Sequence, residues 1–221
     1  MKLQAKLDAF RADFEANKAP PEVVAVMHRA TAALAASGQA DRAKKAGEAA
    51  PAFLLLDADG ASVDSAALLA KGPLVVTFYR GIWCPYCNMD LQAIEEIAGA
   101  VRAAGASLVA ISPQQAANSR RSQRENKLSF PILIDQGGAV ADAFGLRFQL
   151  PDELVAVYKS FGLDLPSFHG EPSWSLPMPA RFVIAPDGRI AYAEVHPDYT
   201  RRPEPSDLLP VLQRLNVASA A

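Results

Sequence analysis

Along the first 45 positions apolar residues recur at helical spacing: Leu3, Leu7, Phe10 and Phe14, then Val23, Met27, Ala30 and Leu34. That period predicts two amphipathic helices, separated by Ala19-Pro20-Pro21. The rhythm then shortens. Phe53 to Leu56 is an apolar run, Asp57-Ala58-Asp59-Gly60 a turn, and Ser62 to Leu69 reads as a short helix. Leu74 to Tyr79 is apolar on successive residues rather than alternate ones, which predicts a strand buried on both faces. After Cys84 the positions Leu91, Ile94, Ile97 and Val101 trace an amphipathic helix. Ser107 to Ile111 and Pro131 to Ile134 read as strands, with a polar helix over Gln114 to Lys127 between them. A short helix follows from Ala139 to Phe144. Arg181 to Ile184 and Ile190 to Val195, joined through Pro186-Asp187-Gly188, read as a hairpin, and Leu208 to Leu215 as a last helix.

This alternation of strand and helix implies an α/β fold whose central mixed sheet is flanked by helices and has a parallel portion. Right-handed crossovers place Cys84 at the carboxyl end of a central strand, where such sheets carry their sites. Residues 147–178 break the rhythm with Pro151, Pro166, Pro172 and Pro177 around one helix, Asp152 to Phe161. Segments this long without regular structure are functional or form an interface. The chain divides into an N-terminal helical extension, residues 1–45, and an α/β domain, residues 46–217. The extension covers the main domain or serves a homodimer.

Composition narrows the function. The chain has 221 residues, 50% hydrophobic and 21% charged, an ordinary globular balance. A formal net charge of −2 gives no electrostatic footprint for nucleic acid. No apolar run is long enough to span a bilayer. The N-terminus MKLQAKLDAFRADFEANK lacks a hydrophobic signal core, so a cytoplasmic location is expected.

The only two cysteines stand in VVTFYRGIWCPYC, Val75 to Cys87. In a reducing compartment a lone Cys-x-x-Cys is catalytic or metal-binding rather than a structural disulfide. Zinc needs two more ligands, and His28, His169 and His196 form no closely spaced pair. No metal or cofactor is expected. Cys84 falls at the helix start, where free N–H groups favour a thiolate and lower its pKa. Cys87 lies one turn on, on the same face, in reach of a small disulfide ring. An inert, merely packed pair is the bland alternative. Pro85 fits helix initiation. Trp83 reads as packing beside the site, Tyr86 as a surface residue or a shade over the sulfurs.

At this point the chain resembles the peroxiredoxin-like branch of the AhpC/TSA proteins, within the thioredoxin fold. The resemblance rests on GPLVVTFYRGIWCPYCNMDL, GASLVAISPQ, FPILID with FGLRF, LPMPARFVIAPDG and HPDYTRRPEP, and covers about residues 45–215. It implies a thioredoxin-like central sheet and thiol-based peroxide or disulfide chemistry. Ordinary peroxiredoxins carry Pro-x-x-x-Thr-x-x-Cys. Counted from Phe78-Tyr79, the peroxidatic position falls on Cys87, the Thr position on Cys84 and the Pro position on Arg80. The Arg that peroxiredoxins hold three residues before a strand Phe is here Pro179. What stands instead looks like thioredoxin: Trp-Cys-x-x-Cys and a proline, Pro179, facing it after Met178. The likeness implies a cis bond before Pro179, with the Met178 backbone open to an extended peptide or a thiol donor.

Arg80 and Arg181 are candidates to replace the missing peroxidase Arg, by favouring thiolate and stabilising developing charge. The alternative for each is a solvated arginine. Strand alternation puts Arg181 and Pro179 on one face, which favours Arg181. Asp90 complements the helix dipole. His169 reads as a loop histidine or part of the cleft lining, and Asp198-Tyr199-Thr200-Arg201 as a cap or partner contact. The leading expectation is a thiol peroxidase cycling Cys84 and Cys87, taking hydrogen peroxide or organic hydroperoxides and regenerated by thioredoxin or another thiol. A disulfide reductase or isomerase, and a non-enzymatic redox sensor or interaction module, are the alternatives. Exposure favours Cys84 as attacker; the count from Phe78 favours Cys87.

Overall fold

Two helices come first, α1 (Leu3–Asn17) and α2 (Pro21–Ala36). Pro21 sits at the first helical position, where a missing N–H leaves no bond unmade. The computed structural model describes residues 2–219. The apolar run after Pro51 becomes strand β1 (Leu54–Asp57). Here the structure corrects the expected helix from Ser62. The Asp57 carboxylate accepts from the backbone N–H of Asp59 (2.9 Å) and Ala61 (2.8 Å), which tightens the turn. Ser62–Asp64 therefore folds back on β1 as strand β2, and helix α3 (Ser65–Leu69) starts only where the Asp64 side chain caps it.

Strand β3 (Leu74–Phe78) is buried throughout, as its unbroken apolar run demands. Helix α4 (Pro85–Ala103) leads to β4 (Ser107–Ser112), which pairs in parallel with β3. Helix α5 (Ala116–Glu125) leads to β5 (Ile132–Ile134), parallel to β4, and α6 (Ala139–Ala143) follows. Residues 147–178 carry more order than their sequence announces. Strand β6 (Arg147–Gln149), α7 (Asp152–Ser160), α8 (Leu165–His169) and β7 (Ser175–Pro177) form a small unit, with β6 and β7 paired antiparallel. The expected hairpin is β8 (Ala180–Ile184) and β9 (Ile190–Val195), and α9 (Leu208–Ser219) closes the fold.

The main sheet has seven strands in the order β2-β1-β5-β4-β3-β8-β9, parallel through β3, β4 and β5 and antiparallel elsewhere. Its two faces bury separate cores. Val75, Leu108 and Val183 meet Leu91, Ile94 and Ala98 of α4, with Leu3 and Leu7 of α1 and Leu212 of α9. Leu74, Val76, Phe78 and Phe182 meet Ala141 and Phe144 on the other face. A third cluster joins α2 to α7 and α8. Each fully buried Leu or Ile here contributes about 1.5–3 kcal/mol. The apolar stripes of the two leading helices thus end on the chain's own core.

The cis bond expected before Pro179 is absent: no peptide bond among the described residues is cis. The Met178 N–H donates to the Leu146 carbonyl (2.9 Å), and its side chain is buried in the core face that excludes the cysteines. Extended trans geometry, the default for X-Pro bonds, carries the chain straight into β8.

Candidate active site

The loop from β3 to α4 is held from three sides. Gln114 accepts from the Ile82 N–H (2.9 Å) and donates to the Tyr79 hydroxyl (2.7 Å), while Asn88 donates to the Ile82 carbonyl (2.7 Å). Gly81 has φ +148°, and a Cβ there would stand 2.5 Å from the Trp83 Nε1, so only glycine lets the indole fold back. Cys84 is the N-cap of α4, and its carbonyl accepts from the N–H of both Cys87 and Asn88 (3.1 Å each).

Both thiols are free and buried, Cys84 at 2% exposure and Cys87 at 0%. Burial, and the action of each sulfur on the other, set their acidity. Burial raises the Cys84 pKa, and donating its proton toward Cys87 raises it further. Burial also acts against a Cys87 thiolate, but the Cys84 hydrogen bond, Arg202, Arg80 and the Arg80 backbone N–H outweigh it and bring the pKa down to about 6. The helix start was expected to lower Cys84. Its pKa instead rises, because Cys84 is buried and lends its proton to Cys87, the sulfur whose charge Arg202 and Arg80 stabilise.

Arg80 and Arg202 act on the pair, a third buried arginine, Arg181, shares Asp90 with Arg202, and the three differ in what neutralises them. Arg181 donates to Asp90 (2.5 Å) and to the Pro203 carbonyl (3.1 Å). Arg202 donates to the Cys87 sulfur (3.4 Å); its Nε lies 3.3 Å from Asp90 as an ion pair without hydrogen-bond alignment. Asp90 thus joins two cations rather than complementing the helix alone. Among the described residues no carboxylate pairs with Arg80. Its guanidinium lies 4.2 Å from the Tyr199 ring centroid and 4.9 Å from that of Trp83, and it donates to the Tyr158 hydroxyl. Burial works against its charge; Tyr158, Cys84, Tyr199 and Cys87 outweigh burial and keep its pKa above the ordinary value.

A cavity of about 200 Å³ opens on Cys84, lined among others by Phe10, Trp83, Tyr86, Tyr158 and Tyr199. Tyr86 is buried at 6% exposure and meets Phe10 edge-on at 5.2 Å, so α1 forms the roof of the site. Cys87 does not line this cavity. Of the residues singled out in the sequence, Arg80, Trp83 and Tyr86 gather there with Cys84. Arg181 points to Asp90, Pro179 lines a different cavity, and Met178 lies on the other core face. His169 is buried with neither ring nitrogen hydrogen-bonded, and burial drops its pKa to about 4.

Residues 46–193 match the AhpC/TSA family. The chain belongs to that family. Over 110 residues it is 34% identical to the thiol-disulfide oxidoreductase ResA of Halalkalibacterium halodurans, across 49% of this chain and 61% of that protein. Over 104 residues it is 33% identical to the chloroplastic peroxiredoxin Q of Oryza sativa subsp. japonica, across 47% of this chain and 48% of that one. The chain thus spans less than two thirds of either relative's length. Among solved structures, peroxidoxin BcpB from Mycobacterium tuberculosis aligns with a TM-score of 0.61 at 21% identity, over 77% of this chain and 97% of that chain. That likeness is one of fold.

Within this AhpC/TSA chain the sequence reading missed Tyr158, Tyr199 and Arg202. The turn Asp198–Thr200, held by the Asp198 carboxylate on the Thr200 N–H (3.0 Å) and hydroxyl (2.7 Å), sets Tyr199 on Arg80. It also delivers Arg202 to Cys87. The signal was present in HPDYTRRPEP, where Asp198-Tyr199-Thr200-Arg201 was read as a cap or partner contact and Arg202 was given no place. No helix among the described residues is long and apolar enough to cross a membrane.

Proposed function

We propose that this chain is a thiol-dependent peroxidase in which Cys84 attacks and Cys87 resolves. Residues 1–45 act as a helical cover over a catalytic domain of residues 46–217. The observation that carries this reading is a pair of free, buried thiols one helical turn apart: Cys84 opens on a small cavity that Arg80 also lines, and Cys87 accepts a hydrogen bond from Arg202. Cys84 passes its proton to Cys87 and attacks the terminal oxygen of ROOH. The O–O bond breaks, Cys84 becomes a sulfenic acid, and the alkoxide leaves with the proton held by Cys87. Arg80 lies where negative charge develops on the leaving oxygen. The Cys87 thiolate, held by Arg202, then attacks the Cys84 sulfur. An S–S bond forms, hydroxide leaves, and a solvent proton turns it into water. The cysteine pair gives up two electrons and the peroxide takes both. An external dithiol, thioredoxin or a smaller one, reduces the disulfide, and a cytoplasmic location suits that cycle.

A second reading, thiol-disulfide exchange with a protein substrate, is favoured by the likeness to ResA. Against it stands the roof: Phe10, Phe14 and Met27 cover Cys84 and leave room for a small molecule. Stopped-flow mixing of reduced protein with hydrogen peroxide and with cumene hydroperoxide separates the two. We expect reaction at least about a hundredfold faster than free cysteine. Cys84→Ser abolishes it, and Cys87→Ser stops at a sulfenic acid that dimedone traps. A rate equal to free cysteine moves the protein to disulfide exchange. Full activity in Cys84→Ser makes Cys87 the attacker.

A further inference from the structure

Arg80 faces two cavities. One is the cavity at Cys84; the other, of about 450 Å³, lies between α2 and the segment from β6 to α7. The second is walled by apolar side chains such as Leu34, Phe148 and Leu154, and three arginines, Arg42, Arg80 and Arg147, line it. Among the described residues no Asp or Glu lines it. Among the described residues none of the three makes a salt bridge. Arg147 donates to the Ser175 (2.9 Å) and Ser173 (3.4 Å) hydroxyls; Asp135 and Glu171 sense its charge from outside the cavity. Arg42 donates to Gln39 (2.5 Å). Arg80 is 3% exposed and its Nε has no hydrogen-bond partner.

A neighbouring cavity of about 280 Å³ shows the contrast. Arg181, Arg201 and Arg202 line it, and so do Asp90 and Glu194. There carboxylates stand among the arginines, and Asp90 pairs with both Arg181 and Arg202. In the larger cavity Arg42 is exposed and Arg147 has Asp135 and Glu171 behind it, so Arg80 alone is buried without a carboxylate, and a buried guanidinium without a counter-charge is costly. An apolar pocket of this size with a few convergent cations has the character of a small-molecule site. The planar fork of arginine matches a carboxylate. The groups facing Arg80 are Tyr158, Tyr199, Cys84 and Cys87, so an anion bound there competes with the thiolate for one cation.

We propose that this cavity binds a small organic carboxylate, its apolar body against Leu34, Phe148 and Leu154 and its head group on Arg80 and Arg147. The ligand is thereby coupled to the cysteines: it takes from the thiolate the cation they share, and by reciprocity it binds more weakly when the thiolate is present.

The test is isothermal titration calorimetry of the reduced full chain with octanoate, 1-octanol and inorganic phosphate, beside the pH profile of thiol alkylation. Octanoate should bind at one site, about tenfold or more tighter than octanol. Arg147→Gln and, separately, the exposed Arg42→Gln should weaken it while octanol is unaffected. Saturating octanoate should slow alkylation at pH 7 about threefold or more. No octanoate binding, equal binding of octanol, or equal binding of phosphate would overturn the proposal. So would octanoate binding that leaves the alkylation profile unmoved, since the head group would then not be on Arg80. None of these readouts is peroxide turnover, so the site can fail while the peroxidase reading stands, and the reverse.

Discussion

Arg181 and Arg80 are both almost completely buried, at 1% and 3% exposure, Arg80 in the loop that leads into α4 and Arg181 on β8 against Asp90 of that helix. Arg181 is joined to a carboxylate that a second arginine also holds. Arg80 is surrounded by aromatic rings and two thiols. The first arrangement is self-sufficient: charge is neutralised by the fold, and the cluster ties β8 to α4. The second is incomplete until a thiolate or a ligand supplies the negative charge. A buried cation thus says little about function until its counter-charge has been found.

The largest effect should come from making the two regions alike. Asp90→Ala leaves two buried guanidinium groups uncompensated and should cost about 3–5 kcal/mol of stability in urea unfolding. A loss below about 1 kcal/mol would mean that the cluster does not hold the core. Arg80→Leu should do the reverse. Stability should change by less than about 1.5 kcal/mol, as for an apolar replacement of similar volume. The alkylation midpoint should rise by about one pH unit, and peroxide reduction should slow about ten- to a hundredfold. An unshifted midpoint would end the case for Arg80 as counter-charge.

Arg181→Leu sharpens the contrast from the other side. It should cost about 1–3 kcal/mol by stranding part of the Asp90 charge, yet leave the pH profile of alkylation in place. A raised midpoint would bring Arg181 back to the sulfurs. The smallest effect is a pH dependence of stability. The folded Cys87 pKa, about 6, lies below the ordinary thiol value of 9.0. Between those values the unfolded chain holds a proton that the folded chain has released, so stability rises with pH. The gain is complete above 9 and lost as pH falls through 6. Cys84, raised by burial and its hydrogen bond to Cys87, acts oppositely above 9, where the unfolded thiol ionises first. Thermal melts of reduced protein should show the rise from pH 6 to 8.5, and Cys87→Ser should flatten it.

Local pattern reached a long way into this chain. The period of Leu3–Phe14, the unbroken run before Arg80 and the spacing after Cys84 each describe a segment whose neighbours in sequence are its neighbours in space. Errors began where a side chain reached across a turn. The Asp57 carboxylate converts a helix start into a strand, and no hydrophobic period records that. Strand parity placed Arg181 on the correct face of the sheet. It could not show that Asp90 of α4 would be waiting there.

The residues alone determined the alternation of strand and helix, the two thiols at a helix start and the family. These follow from periods of a few residues and from a motif contiguous in the chain. Only the tertiary structure decided which sulfur carries the charge. Arg202 reaches Cys87 from 115 residues away, and Tyr199 and Tyr158 meet on Arg80 from separate segments. Acidity depends on burial and on charges a few ångströms off, and both are products of packing that no stretch of sequence contains.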